Sequence, residues 1–163
     1  KAVLDALTMV PDIRLKIICA RNHFASQLQE QVKFLNLASR VDFLGFLPDK
    51  QFKNVYAHAL ALVHPSFMEG FSLTGLEAMA LNCPVISSNS SCLPEVYGDS
   101  VLYFHPNLPK ELAQQIHRLK NNPKLRQRLI RLGRQQLSKY SWQKTAIQTL
   151  DVYSKILTDY SKQ

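Results

Sequence analysis

The amino-acid sequence predicts an α/β fold in which a parallel sheet is flanked by helices. Short apolar runs rich in β-branched residues alternate with longer stretches of helical period, which is typical of strand–helix–strand units. The 163 residues, 46% of them hydrophobic, are enough to bury one well-packed core. We therefore expect a single domain over residues 1–163.

The alternation predicts five strands and six complete helices. Strands are expected at the short apolar runs 14–20, 41–44, 59–64, 84–88 and 101–104. Helices are expected at 24–39, 49–58, 73–81, 109–121, 124–140 and 142–160. The opening stretch KAVLDALTMVPD is typical of the second half of a helix, so we expect a fragment of a longer protein. Trp142 is expected to anchor the last helix in the core.

Cysteine spacing and hydropathy exclude several classes of protein. The three cysteines, Cys19, Cys83 and Cys92, form no CxxC pair, so neither a disulfide framework nor a metal site is expected. No apolar run approaches the roughly 20 residues that span a bilayer. The expected location is the cytoplasm, with reduced thiols, either in solution or peripherally on the inner face of the membrane.

Positive charge is concentrated in the C-terminal part of the chain. Residues 110–144 contain ten Lys or Arg against a single acid, Glu111, whereas the net charge of the whole chain is +8. One interpretation is a solvated helix face, and the other is contact with anionic lipid head groups or an acidic acceptor. Nucleic acid is not expected as a partner, because aromatic residues are not interleaved with the charges.

The segment HPSFMEGFSLTGLEAMALNCPVISSN, residues 64–89, is predicted to form a strand, a loop, a helix and the next strand. Ser72 is placed to cap the helix, and Asn82 suits the left-handed residue that ends it. The N–H groups of residues 70–73 lack partners within the helix, so with the helix dipole they form a site for an anion such as a diphosphate. Gly70 permits close approach of that anion to the backbone.

Two glutamates flank this predicted anion site. Glu77 belongs to a helix that is apolar nearly all round, so the helix is expected to be buried and the carboxylate to need a partner. The vicinal diol of a nucleotide ribose would provide one by donating two hydrogen bonds. Glu69, in the loop on the other side of the anion, would face the sugar attached to the diphosphate. The alternative is two unrelated glutamates beside a glycine turn.

The run PSFMEGFSLTGLEAMALNCPVISSNSSCLPEVYGDS resembles the signature of retaining glycosyltransferases of family 4, whose two glutamates separated by seven residues correspond to Glu69 and Glu77. RVDFLGFLPDKQFKNVYAHA and NNPKLRQRLIRLGRQQLSKYSWQKTAIQTLDVYSKIL resemble the regions on either side, so the resemblance covers nearly the whole chain. It implies a GT-B fold of two facing Rossmann-like domains. This chain would be the C-terminal, donor-binding domain, and the N-terminal acceptor domain would be absent.

The resemblance also implies roles for individual residues. Glu69 would be catalytic and lie at the transferred sugar, while Glu77 would bind the ribose hydroxyls of the donor. The loop with Gly45 and Phe46 resembles the one that lies against the nucleobase. The other donor-binding residues, near the sugar and the diphosphate, would be Gly70, Phe71, Ser72, Leu73 and Thr74.

One loop departs from the family's pattern. Where the family has a glycine-rich turn, the sequence has Ala20-Arg21-Asn22-His23. Arg21 is a candidate for the diphosphate contact that this loop would otherwise make, and an exposed surface arginine is the other interpretation. His64 is interpreted as a packing residue at the end of a strand rather than as a donor contact.

The resulting hypothesis is a retaining glycosyltransferase that moves a sugar from a nucleotide-diphosphate sugar to a polysaccharide or glycolipid. The donor would be GDP-mannose or a UDP-sugar, with no further cofactor and no metal, and the main partner would be the missing N-terminal domain. By itself, this domain is expected to be inactive. The alternative is a non-catalytic interaction subunit that docks a membrane or a partner through its basic C-terminal helices.

Overall fold

The computed structural model describes residues 1–20 and 22–160, in which helices alternate with short strands. The strands are β1 (Leu15–Ile17), β2 (Val41–Phe43), β3 (Leu62–His64), β4 (Val85–Ser88) and β5 (Leu102–Phe104). The helices are α1 (Ala2–Thr8), α2 (His23–Phe34), α3 (Asp49–His58), α4 (Leu73–Ala80), α5 (Leu93–Tyr97), α6 (Pro109–Lys120), α7 (Pro123–Leu137) and α8 (Trp142–Tyr160). A short 3-10 turn, Gly98–Ser100, joins α5 to β5.

The described strands pair in parallel, but in two sheets rather than one. β1 pairs with β2, and β4 lies between β3 and β5. The observed strands are shorter than the apolar runs that predicted them. The reason is that residues beyond the ladder, such as Leu60 and Ala61, pack against the core without pairing. The predicted α/β class with parallel strands is confirmed.

Neighbouring residues of β4 point to opposite faces of the sheet and enter different cores. Ile86 belongs to a cluster with residues of α1, α6 and α7, whereas Val85 belongs to a cluster with residues of α4 and α5. All four residues of β4 are buried. Helices thus cover both faces, as parallel sheets require, and α4 is fixed on one of them.

The C-terminal end of α4 has the predicted left-handed residue. Asn82 has φ = 57°, and its N–H donates to the carbonyl of Met79 at 3.0 Å. The N–H of Cys83 donates to the carbonyl of Ala78 at 2.9 Å, which completes a Schellman ending. Arg134 Nε also donates to Asn82 Oδ1 at 2.7 Å, so this corner is joined to α7. The prediction for Asn82 is confirmed.

Other predictions about the helices are wrong. The helix predicted to reach residue 39 ends at Phe34, and Asn36 takes a left-handed φ of 55° shortly afterwards. α5 was not predicted, because its five residues are too few to display a helical period. Trp142 does not anchor a core: its side chain is 78% exposed, and no described residue of α8 is buried.

The apolar residues of α8 do not make it a membrane-spanning helix. The helix has 19 residues, but charged and polar positions alternate with its apolar ones. Among residues 1–20 and 22–160, no helix combines the length and apolar character needed to cross a membrane.

Candidate functional site

The loop between β3 and α4 carries Glu69 and is bonded to the loop that follows β4. Ser91 Oγ accepts the N–H of Glu69 at 3.3 Å and donates to the Glu69 carbonyl at 3.0 Å. Ser88 Oγ donates to the carbonyl oxygen of Ser66. Both loops leave the carboxyl ends of neighbouring parallel strands, which is where such sheets bind ligands.

The carboxylate of Glu69 is paired with the imidazole of His64. His64 is the last residue of β3, and its Nε2 lies 3.2 Å from Glu69 Oε1. The His64 side chain is 12% exposed and that of Glu69 is 33% exposed. The earlier interpretation of His64 as a packing residue therefore missed its contact with the predicted catalytic carboxylate.

The N-terminus of α4 is capped by a residue distant in sequence. The predicted cap, Ser72, has left-handed backbone angles, and its hydroxyl makes no capping hydrogen bond. Instead, the hydroxyl of Tyr97 accepts the N–H of Gly75 at 3.1 Å and lies 2.6 Å from Ser72 Oγ. Tyr97 is fully buried, and burial raises the pKa of its hydroxyl. The prediction that the side chain of Ser72 caps the helix is wrong.

The backbone amides before and at the start of α4 remain open. Within the described part of the chain, no N–H of residues 70–74 donates a hydrogen bond. Gly70 is exposed, and a Cβ built on it would have no other group within 4 Å. Leu73 is 47% exposed and Thr74 is exposed as well. The turn is therefore not filled by neighbouring atoms.

Glu77 is exposed, which contradicts the expectation that α4 buries it. The buried face of α4 contains Gly75, Leu76, Ala78 and Met79. Leu73, Glu77 and Ala80 are exposed, and their spacing places them on one face of the helix. The argument from a buried, unpaired carboxylate is therefore wrong. Glu77 nevertheless lies on the same side of α4 as Leu73, whose amide is open.

The loop after β2 contains Gly45 and Phe46, the residues that the resemblance places against the nucleobase. Gly45 is buried with φ = 67°, a conformation that side chains rarely adopt, so glycine is needed here. The ring of Phe46 is 91% exposed. The N–H of Leu44 donates to the carbonyl of Ile17 at 2.9 Å, which ties the start of this loop to β1.

Two other predicted site residues have different outcomes. The ring of Phe71 packs edge-on against Tyr140, with centroids 5.2 Å apart, so the side chain is engaged and the backbone amide is what remains open. Arg21 lies outside the described residues.

Three residues in this cluster were not predicted to matter, namely His64, Ser91 and Tyr97. Nothing in the local sequence around Ser91 and Tyr97 signals a contact with residues 22 or 25 positions earlier. One signal was available for Tyr97. Gly75 sits in the middle of a predicted helix, which indicates a close approach by another group.

The family comparison agrees with this geometry. The profile described as "Glycosyl transferases group 1" matches residues 1–136, which include Glu69 and Glu77. The chain belongs to this family. The resemblance found in the sequence is thereby confirmed at the level of the glycosyl transferases group 1 family.

Two curated relatives of this chain are bacterial mannosyltransferases. O-antigen chain mannosyltransferase B of Escherichia coli is 36% identical over 113 residues, which are 69% of this chain and 30% of that protein. O-antigen chain mannosyltransferase RfbU of Salmonella typhimurium is 38% identical over 109 residues, which are 67% of this chain and 31% of that protein. The match thus covers less than a third of either relative.

Solved structures of glycosyltransferases share the fold. Sucrose-phosphate synthase of Thermosynechococcus elongatus has a TM-score of 0.88 at 24% identity, over 97% of this chain and 42% of that one. The C-terminal domain of a group 1 glycosyl transferase of Francisella tularensis has a TM-score of 0.70 at 26% identity, over 85% of this chain and 74% of that one. Anabaena HepE, solved with UDP-glucose, has a TM-score of 0.82 at 21% identity, over 94% of this chain and 44% of that one. The predicted GT-B type of fold is confirmed.

Proposed function

We propose that this chain is the donor-binding part of a retaining glycosyltransferase and that it binds a nucleotide-diphosphate sugar at the start of α4. The observation that carries the proposal is the row of amides at residues 70–74 without hydrogen-bond partners among the described residues, with Glu69 before it and Glu77 after it along the chain. The membership of the chain in the glycosyl transferases group 1 family supports it. The rest of a longer chain would provide the acceptor domain.

The diphosphate is proposed to bind at the open amides. Each free N–H can donate to a phosphate oxygen, and the dipole of α4 favours a negative charge at its N-terminus. Because a Cβ on Gly70 would meet open space, an oxygen of the ligand can approach the backbone there. Neutralising the diphosphate in this way needs no metal ion in the site.

The two glutamates are proposed to bind the two ends of the donor. Glu77 lies on the exposed face of α4 beyond the amides, where its carboxylate can accept hydrogen bonds from both hydroxyls of the ribose. Glu69 lies in the loop on the opposite side, where it can accept from hydroxyls of the transferred sugar. In this arrangement the role of Glu77 depends on its position, not on its burial.

The proposed reaction proceeds with retention on one face of the sugar. The acceptor oxygen bonds to the anomeric carbon while the bond from that carbon to the phosphate oxygen breaks, and the acceptor proton passes to the departing phosphate. The amides of residues 70–74 stabilise the charge that develops on the diphosphate. Glu69 acts as a catalytic residue by holding the hydroxyls of the reacting sugar.

GDP-mannose is the proposed donor, with a UDP-sugar as the alternative. Two relatives are mannosyltransferases, which favours mannose as the transferred sugar. HepE was solved with UDP-glucose, which supports a UDP-sugar as the alternative. The exposed ring of Phe46 can stack on either base. The acceptor is proposed to be a growing polysaccharide or a glycolipid.

Calorimetric titration of the chain with GDP, UDP, ADP and their sugars tests the proposal. We expect binding of at least one pair, and Glu77→Gln should weaken it about tenfold, which corresponds to about 1.4 kcal/mol. The matched control is Glu30→Gln, because Glu30 is also an exposed helical glutamate but belongs to α2. A folded chain that binds none of these compounds would contradict the proposal.

We also propose that a basic face of α6 and α7 contacts anionic lipid. Lys124, Arg128 and Arg131 are exposed on one face of α7, and Arg118 is exposed on α6. No salt bridge or hydrogen bond joins these four cations to another described residue. A surface of negative head groups would provide the opposite charge.

Co-sedimentation with vesicles tests this contact. We expect binding to vesicles that contain phosphatidylglycerol and not to pure phosphatidylcholine, with Arg128→Gln plus Arg131→Gln weakening it. The control variant, Lys50→Gln plus Lys53→Gln, removes the same charge from the exposed side of α3. Equal weakening by both double variants would show that only the net charge matters.

A further inference from the structure

We propose that His64 is a positioning residue that holds Glu69 for the transferred sugar, and that hydrogen bonds from Tyr97 and Ser72 select the tautomer of its neutral ring. The inference rests on the proposed function, because it assigns a task to the carboxylate that would bind the sugar. His64 belongs to a rigid element, β3, whereas Glu69 belongs to the loop that follows it. A contact between them fixes the loop carboxylate relative to the sheet.

The surroundings of the imidazole determine which nitrogen carries the proton in the neutral ring. Nδ1 lies 3.2 Å from the hydroxyl of Tyr97 and 3.3 Å from that of Ser72, and Nε2 lies 3.2 Å from Glu69 Oε1. A carboxylate can only accept, so Nε2 must carry the hydrogen if this contact is a hydrogen bond. Nδ1 is then an acceptor that needs a hydroxyl donor.

One of the two hydroxyls can donate to Nδ1 whichever way the hydrogen bond between Tyr97 and Ser72 runs. The hydroxyls of Tyr97 and Ser72 are 2.6 Å apart, and each has one hydrogen. If Ser72 donates to Tyr97, the hydrogen of Tyr97 can go to Nδ1 or to the carbonyl oxygen of Ser72, each 3.2 Å away. If Tyr97 donates to Ser72, the hydrogen of Ser72 is free for Nδ1. The amide of Gly75 uses only an acceptor position of Tyr97, so it competes with neither arrangement.

This network links the two halves of the proposed site. The hydroxyl of Tyr97 caps α4, where the open amides lie, and the same hydroxyl lies 3.2 Å from Nδ1 of His64, whose Nε2 contacts Glu69. The bond to His64 engages Oε1 of Glu69, and no described residue is bonded to Oε2. Oε2 is therefore the oxygen that would accept from a hydroxyl of the sugar.

Two substitutions of His64 separate its two contacts. The amide nitrogen of glutamine can occupy the place of Nε2, so His64→Gln keeps a donor for Glu69. Asparagine is shorter and can reach only the place of Nδ1, so His64→Asn keeps an acceptor for Tyr97 and loses the donor to Glu69. Both variants are measured on the whole chain against a nucleoside diphosphate and the matching sugar nucleotide, GDP with GDP-mannose and UDP with UDP-glucose.

We expect His64→Asn to weaken binding of the sugar nucleotide about tenfold while binding of the nucleoside diphosphate changes less than about twofold. His64→Gln should leave both affinities within about threefold of the wild type. Equal losses for the two variants, or an equal loss for both ligands, would overturn the role of His64. Thermal melts of each variant show that the comparison is between folded proteins.

A spectroscopic measurement tests the same inference without ligand. Long-range ¹⁵N–¹H correlation spectra distinguish the two neutral tautomers of histidine. We expect the Nε2–H tautomer for His64 in the wild type. In the double variant Tyr97→Phe plus Ser72→Ala, we expect His64 to lose its preference for that tautomer. An Nδ1–H tautomer in the wild type would overturn the inference. If the wild type binds no nucleotide at all, the proposed function fails, and the tautomer still decides whether His64 is arranged as described.

Discussion

Replacing Gly75 with alanine should destabilise the fold, although alanine is the better helix former. A Cβ on Gly75 would lie 2.3 Å from both Cζ and Oη of Tyr97 and 2.6 Å from its Cε1. Tyr97 is fully buried in a cluster with Leu76 and Val85, so its ring has no free space to enter. Either α4 or the ring of Tyr97 must therefore move.

The expected change in the free energy of unfolding combines three contributions. Alanine gains about 1 kcal/mol over glycine within a helix. Overpacking a core costs about 1 to 3 kcal/mol. Displacing the hydroxyl of Tyr97 leaves the amide at position 75 without its acceptor, at a cost of about 1 to 3 kcal/mol. We expect a net loss of about 1 to 5 kcal/mol, which for 163 residues lowers Tm by about 2 to 20 °C.

Urea unfolding followed by circular dichroism measures this loss. The matched comparison is Gly75→Ala in a Tyr97→Ala background, where no ring opposes the added methyl group. There, alanine should raise the free energy of unfolding by up to about 1 kcal/mol. The reasoning is refuted if Gly75→Ala alone is as stable as the wild type, or if the substitution has the same effect in both backgrounds.

Four further predictions concern other positions. Gly70→Ala should leave Tm unchanged within about 2 °C, because its Cβ would meet open space, and yet weaken nucleotide-sugar binding in calorimetry; unchanged affinity would argue against close approach of the ligand. Burial raises the pKa of the Cys83 thiol from 9.0 to about 11, so its contribution to the free energy of unfolding is fully present below pH 9. That contribution, about 2 to 3 kcal/mol, is lost as the pH rises through 11. Urea titrations of Cys83→Ala should not show this loss. Asn82→Ala should lower the free energy of unfolding by about 1 to 2 kcal/mol, because alanine is strained in the left-handed conformation and loses the hydrogen bond to Arg134. Asn82→Gly loses the same bond without the strain, so a smaller loss in that variant would isolate the backbone contribution. Iodide or acrylamide should quench the fluorescence of Trp142, 78% exposed, nearly as well as that of a free indole, and protection from quenching would show that the residue is covered in solution.

Local patterns in the sequence were sufficient wherever a feature depends on residues close together in the chain. The alternation of apolar runs with helical periods predicted the α/β class, and Asn82 predicted the left-handed ending of α4. Both depend on backbone preferences that act within a few residues. The resemblance of the run 65–100, which contains Glu69 and Glu77, likewise predicted the family, since such a run is read directly along the chain.

Features that depend on distant residues were not predictable in this way. Burial of Glu77 was expected from the apolar composition of α4, but composition does not specify which face of a helix meets the core. The cap of α4 was expected from Ser72, and it comes instead from Tyr97, 25 residues later in the chain. The pairing of His64 with Glu69 depends on how the loop folds back onto the end of β3.

The sequence by itself determined the order and type of most elements and the signature that carries the proposed chemistry, because these depend on local backbone preferences and on residue identity. Only the tertiary structure decided which hydroxyl caps α4, which carboxylate is held and which is exposed. Those outcomes depend on the packing of α5 against α4 and of one loop against its neighbour, and packing is a property of surfaces that come together only when the chain has folded.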